Sequence, residues 1–319
     1  MKQTFILSII CLCMLSCGDK RNSSDEGSDE GSDELTEVVI TPEFTANIRQ
    51  YDRLGTFHEG LAKARRDGYY GFINTLGEEV IPCRYTEVGD FSNGMVVISN
   101  GLDKYGYINR KGETIIPCKY ERAGDFSEGI ACVSTGNYIN DFEAYLDFID
   151  TEGNVIEALS GKYTWTIFCD CYGNPTSLPQ FENGVCQVLN PTDDKFDWPD
   201  ILIDTKGQPC EQPESTHETK EEPDVVAFAD GTKDPVGHTT WGLKDKAGNV
   251  VLPCVFSYIR NFSEGVAVAY VETGGNIGRD GMEDEDYTAV YGYVDQQGNH
   301  TFTKEDFEKV GMTPPPGLQ

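Results

Sequence analysis

The sequence predicts an all-β chain: an array of antiparallel three-stranded repeats, either open like a solenoid or arranged like a propeller, followed by a short C-terminal helix. Three observations predict it. An aromatic or apolar strand ending in Asn or Asp, then two free residues and a glycine, recurs as "YGFINTLG" at 70, "YGYINRKG" at 105, "LDFIDTEG" at 146, "DILIDTKG" at 200, "WGLKDKAG" at 241 and "YGYVDQQG" at 291. Between these copies lies a second recurring piece, a Phe, two free residues, a Gly and a short apolar strand, as in "FHEGLAKA" at 57, "FSNGMVVI" at 91, "FSEGIACV" at 126, "FENGVCQV" at 181 and "FSEGVAVA" at 262. Finally, no long helical period is present and turn formers punctuate the chain roughly every eight to twelve residues, which is the spacing of short strands.

The first segment reads as an export signal. Lys2 opens it, an eleven-residue apolar run follows from Phe5 to Leu15, and small Ser16 precedes Cys17. Such a run falls short of the ~20 apolar residues that a membrane-spanning helix needs, so residues 1–16 are expected to be removed. The stretch "MLSCG" resembles a bacterial lipoprotein processing box, with Met14 where leucine is usual; that resemblance implies acylation of Cys17 and anchorage in the bacterial cell envelope, most simply at the outer membrane, on either its periplasmic or its surface side. Residues 17–40 then form an acidic tether. From Gly18 to Glu34 there is no aliphatic or aromatic residue, so nothing can be buried and charge repulsion keeps such a chain extended.

Composition excludes some partners. The formal net charge is −29, a field that repels phosphate backbones, so nucleic acid is not an expected partner. Cationic, neutral or sugar-like partners remain, alongside the plain alternative that the charge keeps an exported protein soluble.

Residues 41–302 carry the repeats. Asn74, Asn109, Asp150, Asp204, Asp245 and Asp295 each stand three residues before Gly77, Gly112, Gly153, Gly207, Gly248 and Gly298. That spacing is expected of a type I turn: the side-chain oxygen accepts from backbone N–H groups, and the left-handed glycine closes a bulged hairpin. Asn and Asp exchange freely here although only one of them ionises, which argues against six catalytic sites. The glycines of "YG" and "WG" (Gly71, Gly106, Gly242, Gly292) are expected to let an aromatic ring lie over bare backbone. Tyr70, Tyr105, Trp241 and Tyr291 are read as core formers, or else as a surface on which an aromatic-binding ligand stacks. The unit "YGYINRKGETIIPCKYERAGDFSEGIACVS" resembles the WG-containing (KWG) repeat, closely over 70–134 and 241–270 and weakly over 145–210. Only Trp241 keeps the eponymous tryptophan. The resemblance implies a β-rich repeat array used for binding or scaffolding, and it brings no catalytic residue to carry over.

Cys83, Cys118 and Cys254 occupy one slot of the unit, after the proline of "IPC" or "LPC". Equivalent positions three strands apart lie about 14 Å from one another at ~4.8 Å per strand, too far for a disulfide, so these are expected to be small buried hydrophobes. Cys169 and Cys171 lie in an insertion without repeat counterpart, where a disulfide to Cys186 or Cys210 is the alternative to free thiols. No zinc spacing, nucleophile elbow or phosphate-binding loop is present, so neither metal, cofactor nor catalytic residue is assigned. The acidic run Gly278–Tyr287 departs from the calcium-loop pattern and reads as a solvated loop. Turn glycines recur at intervals of 35, 41, 54, 41 and 50 residues, so the later units hold insertions, which in repeat folds become loops, often on one binding face. Residues 303–319 give a short helix, with Thr303 as cap and Asp306 completing the box, placed to cover the edge of the last unit.

On these grounds the chain is read as a lipid-anchored envelope protein that binds or scaffolds a protein or glycan partner. The alternatives are a hydrolase with a site built from inserted loops and a purely structural envelope component.

Overall fold

The structure is a computed structural model that describes residues 37–102, 104–136, 143–166, 177–190, 200–211, 224–235, 237–273 and 288–315. Cys17 and the tether as far as residue 36, Cys169, Cys171 and the acidic run 278–287 lie outside these.

Among the described residues the repeats form six antiparallel sheets, one per unit. In the first unit the strands Arg53–His58, Leu61–Arg66, Tyr69–Asn74 and Glu79–Tyr85 pair in sequence order. The second repeats this with Glu87–Val88, Met95–Ser99, Tyr105–Asn109 and Thr114–Tyr120. The third holds Arg122–Ala123, Ile130–Ser134 and Asp147–Asp150; the fifth holds Val225–Phe228, Trp241–Asp245 and Val250–Phe256; the sixth holds Tyr258–Ile259, Val266–Glu272 and Ala289–Asp295. The fourth sheet has five strands, because Glu143–Tyr145 and Thr164–Thr166, from two insertions, pair alongside Val185–Leu189, Asp200–Asp204 and Pro209–Cys210. Part of what the sequence assigns to loops is therefore sheet. The second, third and sixth units also have a two-residue leading strand before the Phe-x-x-Gly corner, Glu87–Val88, Arg122–Ala123 and Tyr258–Ile259, too brief to show as an alternating pattern.

The Asn/Asp turns form as expected. Asn74 Oδ1 accepts from Leu76 N and Glu78 N at 3.0 and 2.9 Å, Gly77 N donates to Asn74 O at 2.9 Å, and Gly77 has φ 75°. Asn109, Asp150, Asp204 and Asp295 repeat the pattern of bonds. The "YG" glycines have a different reason from the one expected. Opposite Gly71 the partner strand bulges, its register shifting between Tyr70↔Tyr85 and Phe72↔Ile81, and a Cβ on Gly71 would collide with the backbone of Ile81 and Cys83. Gly106 and Gly242 meet backbone in the same way, and of the four only Gly292 meets side chains, the Thr301 hydroxyl first and then the Phe302 ring. The proline of "IPC" produces this bulge: it cannot donate to a ladder, so it sits where the strand leaves the ladder.

Packing between units relies on one aromatic from each side. Phe72 meets Phe91 with ring centroids 4.8 Å apart, Tyr107 meets Phe126 at 4.9 Å and Phe148 meets Phe181 at 5.9 Å, joining units one to two, two to three and three to four. Tyr293 of the sixth unit meets Phe57 of the first at 5.3 Å, and its hydroxyl donates to Gly55 O at 2.7 Å. The two ends of the array are thus packed together, which selects the propeller-like alternative over the open one. In the fifth unit Leu243 takes the aromatic's place and shares an apolar cluster with Phe262.

Two helices flank this closure. Helix α1 (Pro42–Ile48) was not anticipated by the repeat pattern; Thr41 Oγ1 accepts from Phe44 N at 3.0 Å, Pro42 takes the first turn, and Phe44 and Ile48 are buried with Phe57 and Tyr293. Helix α2 (Lys304–Lys309) has the expected capping box of Thr303 and Asp306. It buries Phe307 in the cluster between the fifth and sixth sheets. Arg49 at the end of α1 bridges to Asp306 at 3.0 Å and to Thr301 O at 3.2 Å.

Candidate functional site

The two ends of the leading strands have different chemistry. At the C-terminal end each Phe-x-x-Gly corner is a two-residue hairpin: Ser92 N donates to Met95 O at 2.9 Å and Met95 N to Ser92 O at 3.1 Å, with both central residues left-handed. Glu59, Asn93, Glu128, Asn183 and Glu264 have φ between 51° and 55°, and the glycine after each has φ between 73° and 88°. Two consecutive left-handed residues define the type I′ turn, whose twist matches that of the strands it joins. The side chain of the first residue does a second job. Glu59 accepts from Gly94 N of the next unit at 2.9 Å, Asn93 from Gly129 N, Glu128 from Gly184 N at 2.9 Å, and Glu264 of the last unit from Gly60 N of the first at 3.0 Å. A hydrogen-bond relay therefore runs from the sixth unit across the closure to the first and on through the second and third to the fourth. Sequence reasoning missed it, although the signal was there: the residue before the glycine is Glu or Asn in all five copies.

At the other end the units differ. The outermost cross-strand row reads Arg53, Arg65, Tyr70 in the first unit and Glu87, Ser99, Tyr105 in the second. It continues as Arg122, Ser134 in the third and Tyr258, Tyr270, Tyr291 in the sixth. The three tyrosines of the sixth unit form a ladder with centroids 5.8 and 5.2 Å apart. Burial raises the Tyr270 hydroxyl to about 12, with Glu272 and Tyr291 adding to the shift. Of the expected core aromatics, Tyr70, Tyr105, Trp241 and Tyr291 are half-buried, while the deep positions go to the residue two places on, Phe72, Tyr107, Leu243 and Tyr293.

At this variable end a pocket of about 270 Å³ opens where the leading strands of the second and third units meet residues 177–180, which run into the fourth. Val88, Val97 and Leu178 supply apolar wall; Glu87, Tyr105, Arg122, Asp125 and Gln180 supply polar groups. Tyr105 Oη donates to Glu87 Oε2 at 2.6 Å. Asp125 stands one residue before the interface Phe126, in the slot that Thr56, Asp90, Gln180 and Asn261 fill in other units. Burial pushes the Asp125 carboxyl above its usual range and the charge of Asp90 adds to this, against Lys63 and His58. Lys63 Nζ is itself paired with Asp90 at 3.1 Å, so two carboxylates share one lysine.

Chain entry lies at the opposite end, where Val38 N donates to Glu264 O at 2.9 Å in the corner of the last unit.

None of the described cysteines lines this pocket. Cys83, Cys118, Cys132, Cys186, Cys210 and Cys254 are free thiols. Cys83 donates to Ala64 O at 3.5 Å and Cys254 to Phe228 O at 3.5 Å, each reaching across its own sheet from the bulge after the proline. Burial raises Cys83 to about 11, with Glu79 adding, so it stays a thiol rather than a nucleophilic thiolate.

The family model for the WG containing repeat matches residues 49–70, 70–101, 105–138 and 241–276. The chain carries WG-containing repeats. The four matches cover the first and second units, the opening strands of the third, the last two strands of the fifth and the first two of the sixth. No curated protein sequence matches the chain. Among solved structures, the computationally designed Ika8 protein is similar at 12% identity, covering 82% of this chain and 88% of that one, with a TM-score of 0.27. The WD40 beta propeller domain of Doa1 is similar at 12% identity, covering 75% and 77%, with a TM-score of 0.28. A protein of unknown function from Bacteroides caccae is similar at 10% identity, covering 82% and 84%, with a TM-score of 0.24.

Proposed function

We propose that this WG-repeat chain is an exported, lipid-anchored binding module of the bacterial cell envelope that engages a protein or glycan partner through the leading end of its units. One observation carries the reading. The units repeat their turns, bulges and interface aromatics but diverge in the row of side chains at the leading end, and the pocket beside Asp125 opens in that row. Structure that recurs holds the fold, whereas side chains that differ at equivalent exposed positions are free to serve recognition. The anchor rests on Cys17 and the apolar run before it; acylation together with a tether would leave the folded part free to meet its partner.

Labelling of cells with an alkyne fatty acid tests the anchor. The wild-type chain is expected to take up the label and sediment with membranes, and Cys17→Ser to do neither; labelling of Cys17→Ser would refute it. Capture from solubilised envelopes with the intact acylated protein tests the binding role, with recovery of one specific partner expected. The hydrolase alternative draws on a single feature, the raised Asp125 carboxyl near Asp90 and His58. It would gain from turnover of a chromogenic ester or glycoside that Asp125→Asn abolishes.

A further inference from the structure

We propose that the pocket between the second, third and fourth units receives a basic side chain, lysine or arginine, from a protein partner, with Asp125 as the anion that meets its charge. The inference deepens the binding reading and rests on it. Three features of the pocket fit such a group together. Val88, Val97 and Leu178 present apolar wall, suited to the methylene stem of a long basic side chain. Tyr105 offers a half-buried ring whose hydroxyl is engaged with Glu87, and the face of such a ring attracts a cation. Among the lining residues Glu87 and Asp125 stand against Arg122, and outside the lining Lys63, a cation that acts on Asp125, is taken up by Asp90. An incoming ammonium or guanidinium would give Asp125 the counter-charge that its surroundings divide with Asp90.

The alternatives fit less well. An anionic ligand would meet an excess of carboxylates here and a formal charge of −29 over the whole chain. That same charge steers a basic partner towards the protein and raises its rate of association. A neutral sugar would leave Asp125 with only the share of opposing charge that it now divides with Asp90.

The test uses the mature acylated protein in detergent and a fluorescein-labelled pentalysine peptide, followed by anisotropy. Binding is expected, weakening as salt is raised, and Asp125→Asn is expected to lose about tenfold or more in affinity, the scale of a charge-assisted contact. Glu305→Gln removes one exposed carboxylate on α2, away from the pocket, and is expected to leave affinity within about twofold. Equal losses in the two variants would show only non-specific attraction to a polyanion and overturn the proposal. An unchanged affinity in Asp125→Asn would overturn it as well. Binding of maltopentaose, with loss in Asp125→Asn and no binding of pentalysine, would replace a basic side chain by a glycan while leaving the binding role intact. If neither probe binds, the proposal fails, and capture of an envelope partner decides the binding role independently. A thermal melt of Asp125→Asn at least as high as that of the wild type confirms that any loss is not unfolding, since the substitution removes a carboxylate that burial disfavours.

Discussion

The two ends of each WG-repeat unit have been built under different constraints. At the corner end the residues at two positions are held left-handed five times over, and a carboxylate or amide of one unit accepts from the glycine N–H of the next. At the leading end the equivalent rows hold arginines and a tyrosine, then Glu, Ser and Tyr, then three tyrosines. Backbone geometry explains the contrast. A type I′ turn restricts its central residues to those that tolerate positive φ, so a Glu that enters such a position against its own preference is retained only if its side chain gives something back, here a hydrogen bond between units. No comparable demand acts on the leading row, and there the units have become individuals.

The largest expected effect is at the interface that closes the array. Phe57 is fully buried against Tyr293 and Phe44, so Phe57→Ala should lower unfolding free energy by about 3–5 kcal/mol, as large-to-small changes of buried aromatics do. Phe262 fills the same slot in the sixth unit but is only half-buried, against Leu243. Its alanine variant should cost clearly less. Urea unfolding of both variants checks this; equal losses would mean that the closing interface is no more important than its weaker counterpart.

A smaller effect is expected in the relay. Glu128 is exposed and holds φ 54° while its carboxylate accepts from Gly184 N. Glu128→Ala keeps the strained backbone and loses the acceptor, for about 1 kcal/mol. Glu128→Asn reproduces the residue found at 93 and 183 and tolerates the left-handed region better, so it should fall within about 0.5 kcal/mol of wild type. If alanine and asparagine behave alike in urea, the inter-unit bond contributes nothing and only the turn conformation matters.

How much of this could be read from the residues follows from the range of the interactions. The Asn/Asp-x-x-Gly turns were fully legible because donor, acceptor and glycine lie within five residues of one another. The capping box of Thr303 and Asp306 was legible for the same reason. The WG glycines were visible but misread: their neighbour is a backbone bulge on the adjacent strand, and only the register of Tyr70 with Tyr85 and Phe72 with Ile81 discloses it. Helix α1 was not legible because its capping signals, Thr41 and Pro42, follow directly on the acidic tether and belong to no repeat. The pocket was out of reach altogether. Its walls come from residues 87–125 and 177–180, and nothing local marks Asp125 as different from the Thr, Asp, Gln and Asn that fill its slot elsewhere.

The smallest effects are expected from acid, and they should carry opposite signs in the closure and in the pocket. Asp306 is partly buried, which alone would raise its carboxyl; hydrogen bonds from Arg49 and Thr303 and the charge of Arg49 outweigh this and hold it below the usual range. Its contribution is therefore present above the unfolded value of about 3.9 and is lost as pH falls through the lower folded value. Asp125 is raised by burial and by Asp90, so it imposes a penalty that is complete above its folded value and is relieved as pH falls through that value towards the unfolded one. At pH 7 Asp306→Asn should then be less stable than wild type and Asp125→Asn more stable, each by a small amount because both carboxylates keep some contact with water. The two differences should shrink towards zero on acidification, that of Asp125→Asn beginning at the higher pH. Urea unfolding across this range decides the matter: two variants shifting in the same direction would mean that the pocket carboxylate is paired as firmly as the structural one, and that the pocket has no charge left over for a partner.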